Sequence, residues 1–348
     1  MNTSNQLDMG FASVPAVQQY LDSAESKGVV CANALRVAEI EDSLLADSNK
    51  RVPGAALQKL LAAIIPLTAD ECFGLHTSAF IQPKSYGVLG YIAMNCATVG
   101  EALAKIPVYE KIVGDMGVTS TQTTADGIWV RWHCNFDEPL VRRHVIDNVL
   151  GSWTQYTRWM TGEFEKSPEL VHIEHAAPED TGLIDEYQRV FGCPVEFKQS
   201  HSGLLVNQDY LDHPIRQADL HLLQTLEDHA TQILNEIDKD QPLRYRVSNL
   251  LRLMLKNELP RKEMIAEKLG MSIRTLQRRL SEEGSGYQEI LDELRLELAQ
   301  NYLRNSRLSM EEISELLGFT EPRSFQRSFK KWLGITPGVF RSGSGSST

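Results

Sequence analysis

The chain has 348 residues, of which 42% are hydrophobic and 23% charged, values close to the globular average that exclude a wholly disordered, collagen-like or coiled-coil chain. That length is about twice a usual domain, so two domains with separate cores are expected. Net charge is −11, but from Gln241 onward 18 Lys and Arg face 13 Asp and Glu, a net of +5, whereas the preceding 240 residues carry 17 against 33. A basic tail behind a larger acidic part suits a phosphate-contacting module joined to something unrelated.

The chain starts with neither a basic n-region nor an apolar h-region, and no stretch approaches about 18 uninterrupted apolar residues. A cytoplasmic location with no membrane contact is expected. Residues 1–13 and 342–348 are polar and aperiodic, so both ends are expected to be mobile. From 14 to 213 the pattern mixes elements, which predicts an α+β domain rather than a regular βαβ alternation. Helices are predicted over 54–66 and 139–162. Between them Asp126-Gly127 is a hairpin signal, followed by period-2 alternation from Ile128 to Phe136. Ile128, Val130, Trp132, Cys134 and Phe136 form one face; Trp129, Arg131, His133 and Asn135 form the other.

The five cysteines, Cys31, Cys72, Cys96, Cys134 and Cys193, include no C-x-x-C pair and read as free thiols. His172 and His175 flank Glu174 without the helical spacing of a metalloprotease, so a surface strand or loop is expected there and no metal site is assigned. No Walker loop, G-x-G-x-x-G, G-x-S-x-G or activated-cysteine motif occurs, so neither an enzyme activity nor a cofactor is expected. Residues 216–239 read as a helix in which Leu223, Leu226, Ala230, Ile233 and Ile237 alternate at three and four. Two heptads leave open whether it packs on its own domain or pairs with a second subunit. The stretch 214–242 is therefore read as a linker, with the boundary at Asp238–Pro242.

Within the basic tail a segment recurs. IAEKLG at 265–270 is matched 48 positions later by ISELLG at 313–318, and QRRL at 277–280 is matched 49 positions later by QRSF at 326–329. One extra residue therefore sits in the second turn. Each copy reads as a helix, a turn begun by Gly and a second helix, the helix-turn-helix layout. Ser272 is the expected cap in the first copy and Thr320 near the start of the second. On a helical wheel Ile273, Leu276 and Leu280 face inward, as do Pro322, Phe325 and Phe329. Outward, Arg274, Gln277, Arg278 and Ser281 match Arg323, Gln326, Arg327 and Lys330 at the same angles. Arg can donate twice to guanine and Gln can pair with adenine, so both outer faces suit the major groove of double-stranded DNA. A helix over 291–305, striped by Leu291, Leu294, Leu298 and Tyr302, would hold the two units about 34 Å apart, one turn of B-DNA. Ser309 with Glu312 forms a capping box, and Thr336-Pro337 opens a closing helix.

The run IAEKLGMSIRTLQRRL at 265–280, and above all LGFTEPRSFQRSFKKWLGITP at 317–337, resembles the DNA-binding domain of the AraC/XylS family of bacterial transcription regulators, over roughly 243–341. Ser314 stands where the family usually has Ala and Phe340 where it usually has Tyr. The resemblance implies an all-α domain of seven helices, two helix-turn-helix units on one linker helix. By motif position it implies base contacts from Arg274, Arg278, Arg323 and Arg327, with Gln277 and Gln326 as adjacent candidates. FGLH at 73–76, GVLGY at 87–91, VGEAL at 99–103 and FGCPV at 191–195 resemble the arabinose-binding-type sensor domain of a subgroup of these regulators, a name that does not fix the ligand. The function implied is an activator at promoter DNA, with RNA polymerase as a further partner and a small effector held by residues 14–213. The alternative is control by a protein partner. Trp129, Arg131 and His133 are weighed as pocket residues against ordinary sheet packing, and Trp153, Tyr156 and Met160 read as core, so no effector residue is assigned.

Overall fold

The computed structural model describes residues 9–239, 241–255, 260–305, 308–319 and 321–344. It divides into two compact units, residues 1–230 and 231–348, the division falling inside the helix Leu220–Ile237.

The first unit is the expected α+β domain. Strands β1 (Phe11–Ser13) and β2 (Arg51–Pro53) form a small antiparallel pair. A five-stranded sheet has the order β3-β4-β7-β5-β6, from β3 (Gly117–Thr123), β4 (Ile128–Cys134), β5 (Leu170–His172), β6 (Val195–Glu196) and β7 (Gly203–Val206). Only β5 and β6 run parallel. The hairpin turn lies where Asp126-Gly127 places it, with Thr123 opposite Ile128 and the Thr124 amide donating to the Gly127 carbonyl at 2.8 Å. Val130, Trp132, Cys134 and Phe136 are buried as their alternation requires. Trp129 is buried as well, because the opposite sheet face is not bare: its ring lies tilted against His172 at 4.2 Å and meets His201 edge-on at 4.9 Å.

The helix Pro139–Thr161 starts with Pro in its first turn, where a missing N–H costs nothing, and ends at Gly162 in the left-handed region. Glu138 caps it by accepting from the Val141 amide at 2.7 Å. Gly54–Ile64 is also helical and tightens into a 3-10 turn at Ile65–Thr68, which contains Pro66. Gly74 lets the short helix Phe73–Thr77 touch the long one, since a Cβ there would lie 2.0 Å from the His144 carbonyl oxygen. His172 ends β5 and His175 lies in the bend after it, the strand or loop expected, but His175 is half-buried: its Nε2 lies 2.9 Å from Oδ1 of the fully buried Asp147, whose Oδ2 accepts from the Tyr187 hydroxyl at 2.6 Å. That pairing fastens the segment after β5 and the helix Thr181–Phe191 to the long helix.

Among the described residues of the second unit, seven helices follow the end of the helix Leu220–Ile237: Leu243–Met254, Lys262–Lys268, Ile273–Glu282, Tyr287–Asn305, Met310–Leu316, Pro322–Leu333 and Pro337–Ser344. They form two small cores. Leu250, Leu251, Ile265, Leu276 and Leu280 belong to the first; Ile313, Leu317, Phe325 and Phe329 belong to the second. The helix Tyr287–Asn305 serves both, giving Ile290, Leu291 and Leu294 to one and Ala299 and Leu303 to the other, while Leu298 packs against each. No helix among the described residues is long and apolar enough to cross a membrane.

The repeat aligns Ala266 with Ser314, and both are almost fully buried. The Ser314 hydroxyl has no hydrogen-bond partner there, so the departure from Ala leaves a buried polar group unsatisfied. Ser314→Ala is expected to stabilise the second unit by about 1 kcal/mol, and Leu280→Ala to destabilise it by about 2–5 kcal/mol. Chemical denaturation of the two variants checks both signs.

Candidate nucleic-acid interface and effector cavity

The two helix-turn-helix units are built alike to the level of backbone hydrogen bonds. In the first, Gly270 has φ +66°, its amide donates to the Glu267 carbonyl at 2.9 Å, and the Met271 amide donates to Ala266 at 2.9 Å. In the second, Gly318 has φ +68°, with its amide on Glu315 at 2.8 Å and the Phe319 amide on Ser314 at 3.0 Å. Only Gly holds that left-handed turn without strain, and the turn sets the angle at which the second helix leaves.

Ser272 caps the first of these second helices, accepting from the Thr275 amide at 3.2 Å. Thr320, the expected counterpart, lies outside the described residues; Glu321 precedes the helix and makes no side-chain cap, and Pro322 opens it. The capping box of Ser309 and Glu312 closes in both directions, at 3.1 and 2.6 Å. Thr336 accepts from the Val339 amide at 3.4 Å, as expected of a cap before Pro337.

Leu276, Leu280, Phe325 and Phe329 are buried to 1% exposure or less. Ile273 is 37% exposed and Pro322 half-buried, so the inner faces are each one residue shorter than the wheel predicts. As the first residues of their helices they have no preceding turn to pack beneath. Arg274, Gln277 and Arg278 are exposed together on one helix, and Arg323, Gln326 and Arg327 on the other. Arg278 sits 3.4 Å from Glu282, an exposed pair one turn apart that contributes little. Arg327 reaches Ser324 at 3.5 Å. The guanidinium and amide groups of both faces thus remain available to a polyanion.

One residue the sequence reading missed holds the second unit in place. Arg295, buried on the shared helix, donates from Nε to the Leu317 carbonyl at 2.8 Å and from Nη2 to Gly318 at 2.9 Å, with its guanidinium 4.2 Å from the centroid of the Phe319 ring. It grips the very turn that aims the second helix. Nothing in its local sequence distinguishes it from an exposed helical arginine.

The first unit contains a cavity of about 130 Å³ between one face of the large sheet and the helices Val88–Asn95, Val99–Val113 and Pro139–Thr161. Val130 and Trp132 line it, as do Trp153, Tyr156 and Met160. Trp129, Arg131 and His133 do not, because they point to the other side of β4. Glu110 also lines it; its carboxylate accepts the Thr119 amide at 3.0 and 3.3 Å, and burial pushes its pKa up to about 7.

Elsewhere, burial raises the thiols of Cys72, Cys96 and Cys193 to about 12 and that of Cys134 to about 11, which suppresses nucleophilic thiolate. All five cysteines are free. Among the described residues no group of three or more His, Cys, Asp or Glu is arranged to hold a metal.

Two family descriptions match the chain: the arabinose-binding domain of AraC transcription regulator, N-terminal, over residues 28–215, and a helix-turn-helix domain over 265–343. The ornithine utilization regulator of Pseudomonas aeruginosa is 27% identical over 330 residues, spanning 94% of this chain and 95% of its own. The helix-turn-helix transcriptional regulator VirS of Mycobacterium tuberculosis is 33% identical over 273 residues, 77% of this chain and 78% of that one. Among solved structures, the transcriptional regulator CdpR from Pseudomonas aeruginosa aligns over 90% of this chain and 96% of its own, at 24% identity and a TM-score of 0.46. The chain belongs to the AraC family of transcription regulators: it is a DNA-binding protein with a ligand-binding-type N-terminal domain, and not an enzyme.

Arg295→Ala removes two charge-assisted bonds and leaves two carbonyls short of a donor. It is expected to cost about 2–4 kcal/mol, confined to the second helix-turn-helix; hydrogen exchange should speed up over 308–333 and stay unchanged over 262–282. Glu110 supplies a pH signature. Its folded pKa exceeds the ordinary 4.5 because burial outweighs the Thr119 hydrogen bonds, and Asp115 adds a like charge. The folded state therefore holds more protons than the unfolded chain between pH 4.5 and about 7, and this group's contribution to stability falls as pH rises through that window. Glu110→Gln should flatten that part of the pH dependence of the denaturation midpoint; an unchanged slope would place the titration elsewhere.

Proposed function

We infer that the protein is a promoter-binding activator in the cytoplasm whose first unit holds a small effector and whose two recognition helices, Ile273–Glu282 and Pro322–Leu333, enter successive major grooves. The observation that carries this reading is the duplicated outer face: Arg274, Gln277 and Arg278 match Arg323, Gln326 and Arg327, all exposed, on two units built on one helix. Bidentate Arg and Gln contacts to base edges would supply specificity, and the remaining basic side chains would supply phosphate contacts. RNA polymerase is the further partner that activation requires. Similarity to an ornithine utilization regulator supports a metabolic signal rather than a constitutive role.

An effector acts by binding one state of the protein better than another, since equal affinity shifts nothing. The helix Leu220–Ile237 leads from the first unit into the second and is the element through which such a bias would pass. Of its three-and-four stripe, Leu223 and Ala230 are buried within the chain, which favours packing on its own chain over pairing with a second subunit through that stripe.

Arg278→Ala and Arg327→Ala are each expected to cost about 1–3 kcal/mol on the cognate site and to relax base preference at positions about one helical turn apart. Footprinting and selection of bound sequences from a random pool test this. Equal weakening on every sequence would reduce both arginines to phosphate contacts, and a single protected patch shorter than two turns would defeat the two-groove arrangement.

A further inference from the structure

The cavity of the first unit is lined almost wholly by hydrocarbon, including Leu89, Ile106, Val130, Trp132, Trp153 and Met160. Its polar groups are few, and the Tyr156 hydroxyl is already committed to the Gly90 carbonyl at 2.8 Å. Among the described residues of the wall Glu110 is the one carboxylate, and no Lys, Arg or His stands with it. We propose that this cavity binds a small apolar amine, its hydrocarbon body against the sheet and its ammonium on Glu110. The proposal rests on reading the first unit as the effector-sensing domain.

The wall discriminates by charge. A carboxylate surrounded by hydrocarbon is costly unless it is paired, and a ligand ammonium is the counter-charge that the described wall residues do not supply. The indoles of Trp132 and Trp153 in the same wall are groups a cation can also be drawn to. An anionic ligand would find no cation in the described wall and would enter only beside a protonated Glu110. A sugar would bury more hydroxyl groups than the unpaired Tyr86 hydroxyl, the unpaired Thr119 Oγ1 and Glu110 can satisfy. A zwitterionic amino acid would place its own carboxylate in the same position as an anion. The near-neutral titration of Glu110, already raised by burial, fits a group waiting for a counter-charge. In size, about 130 Å³ is close to the roughly 150 Å³ apolar cavity that accommodates benzene, so a single ring or a short chain fits.

The test uses the full chain and three probes of one shape: hexylamine, hexanol and hexanoate. Tryptophan fluorescence and calorimetry report binding, since two indoles form part of the wall. Hexylamine should bind at least about tenfold more tightly than hexanoate, and Glu110→Gln should abolish that preference while leaving hexanol within about threefold. Ala102→Phe, which fills the cavity, should remove binding of all three. Hexanoate binding as well as hexylamine, no binding of the amine, or amine binding that survives Ala102→Phe would each overturn the proposal, and the comparison of probes on the unaltered chain needs no variant to fold. A DNA footprint on the same samples separates the two readings. A normal footprint with no amine bound sinks the cavity assignment alone, whereas amine binding with an unchanged footprint upholds the site and counts against its role as the effector switch.

Discussion

Both helix-turn-helix cores close on the same helix, Tyr287–Asn305, and the second is clamped to it through Arg295. Each core alone is too small to hold a recognition helix at a defined angle. Sharing one helix of 19 residues, about 27 Å long, joins two marginal cores into one unit and leaves two outward faces whose spacing is set by a rigid rod. The arginines need to be exposed, but their usefulness depends on carbonyls and methyl groups on the far side of each helix.

The turns show the same economy. Gly270 and Gly318 take one left-handed residue each, and identical hydrogen bonds follow on both sides. The extra residue of the second turn falls after that shared motif, where Pro322 restarts the helix with its φ already restrained. Arg295 binds the second turn where an incoming side chain can satisfy two carbonyls at once. The duplication is thus shared in the hydrogen bonds of the glycine turn and different in how each copy is capped and anchored.

The first unit is organised around a buried charge. Asp147, fully buried on the long helix, is satisfied by His175 and Tyr187, and that arrangement ties the helix to the elements that follow β5. The long helix is consequently fixed in its N-terminal half, and the cavity is lined by its later residues Val149, Trp153, Tyr156 and Met160 together with the sheet and the helix Val99–Val113. Glu110 and Asp147 illustrate opposite outcomes for a carboxylate out of water. The first has only a backbone partner and its pKa rises; the second has a histidine and a tyrosine, and its pKa is lowered despite burial.

Local patterns sufficed wherever the physics is local. The period-2 run of β4, the Asp126-Gly127 turn, the capping box at Ser309 and the 48-then-49 spacing of the repeat each depend on residues near one another in the chain, so they could be read from residue order. The outward placement of Arg274, Gln277, Arg278, Arg323, Gln326 and Arg327 belongs with them, because helical periodicity alone sorts inside from outside. Three things were invisible at that level: Arg295 on the Leu317 and Gly318 carbonyls, His175 on Asp147, and the joining of Trp132, Trp153 and Glu110 around one space. Each brings together residues more than 20 positions apart, and a side chain's partner at that range is chosen by how the elements pack, not by its neighbours in the chain.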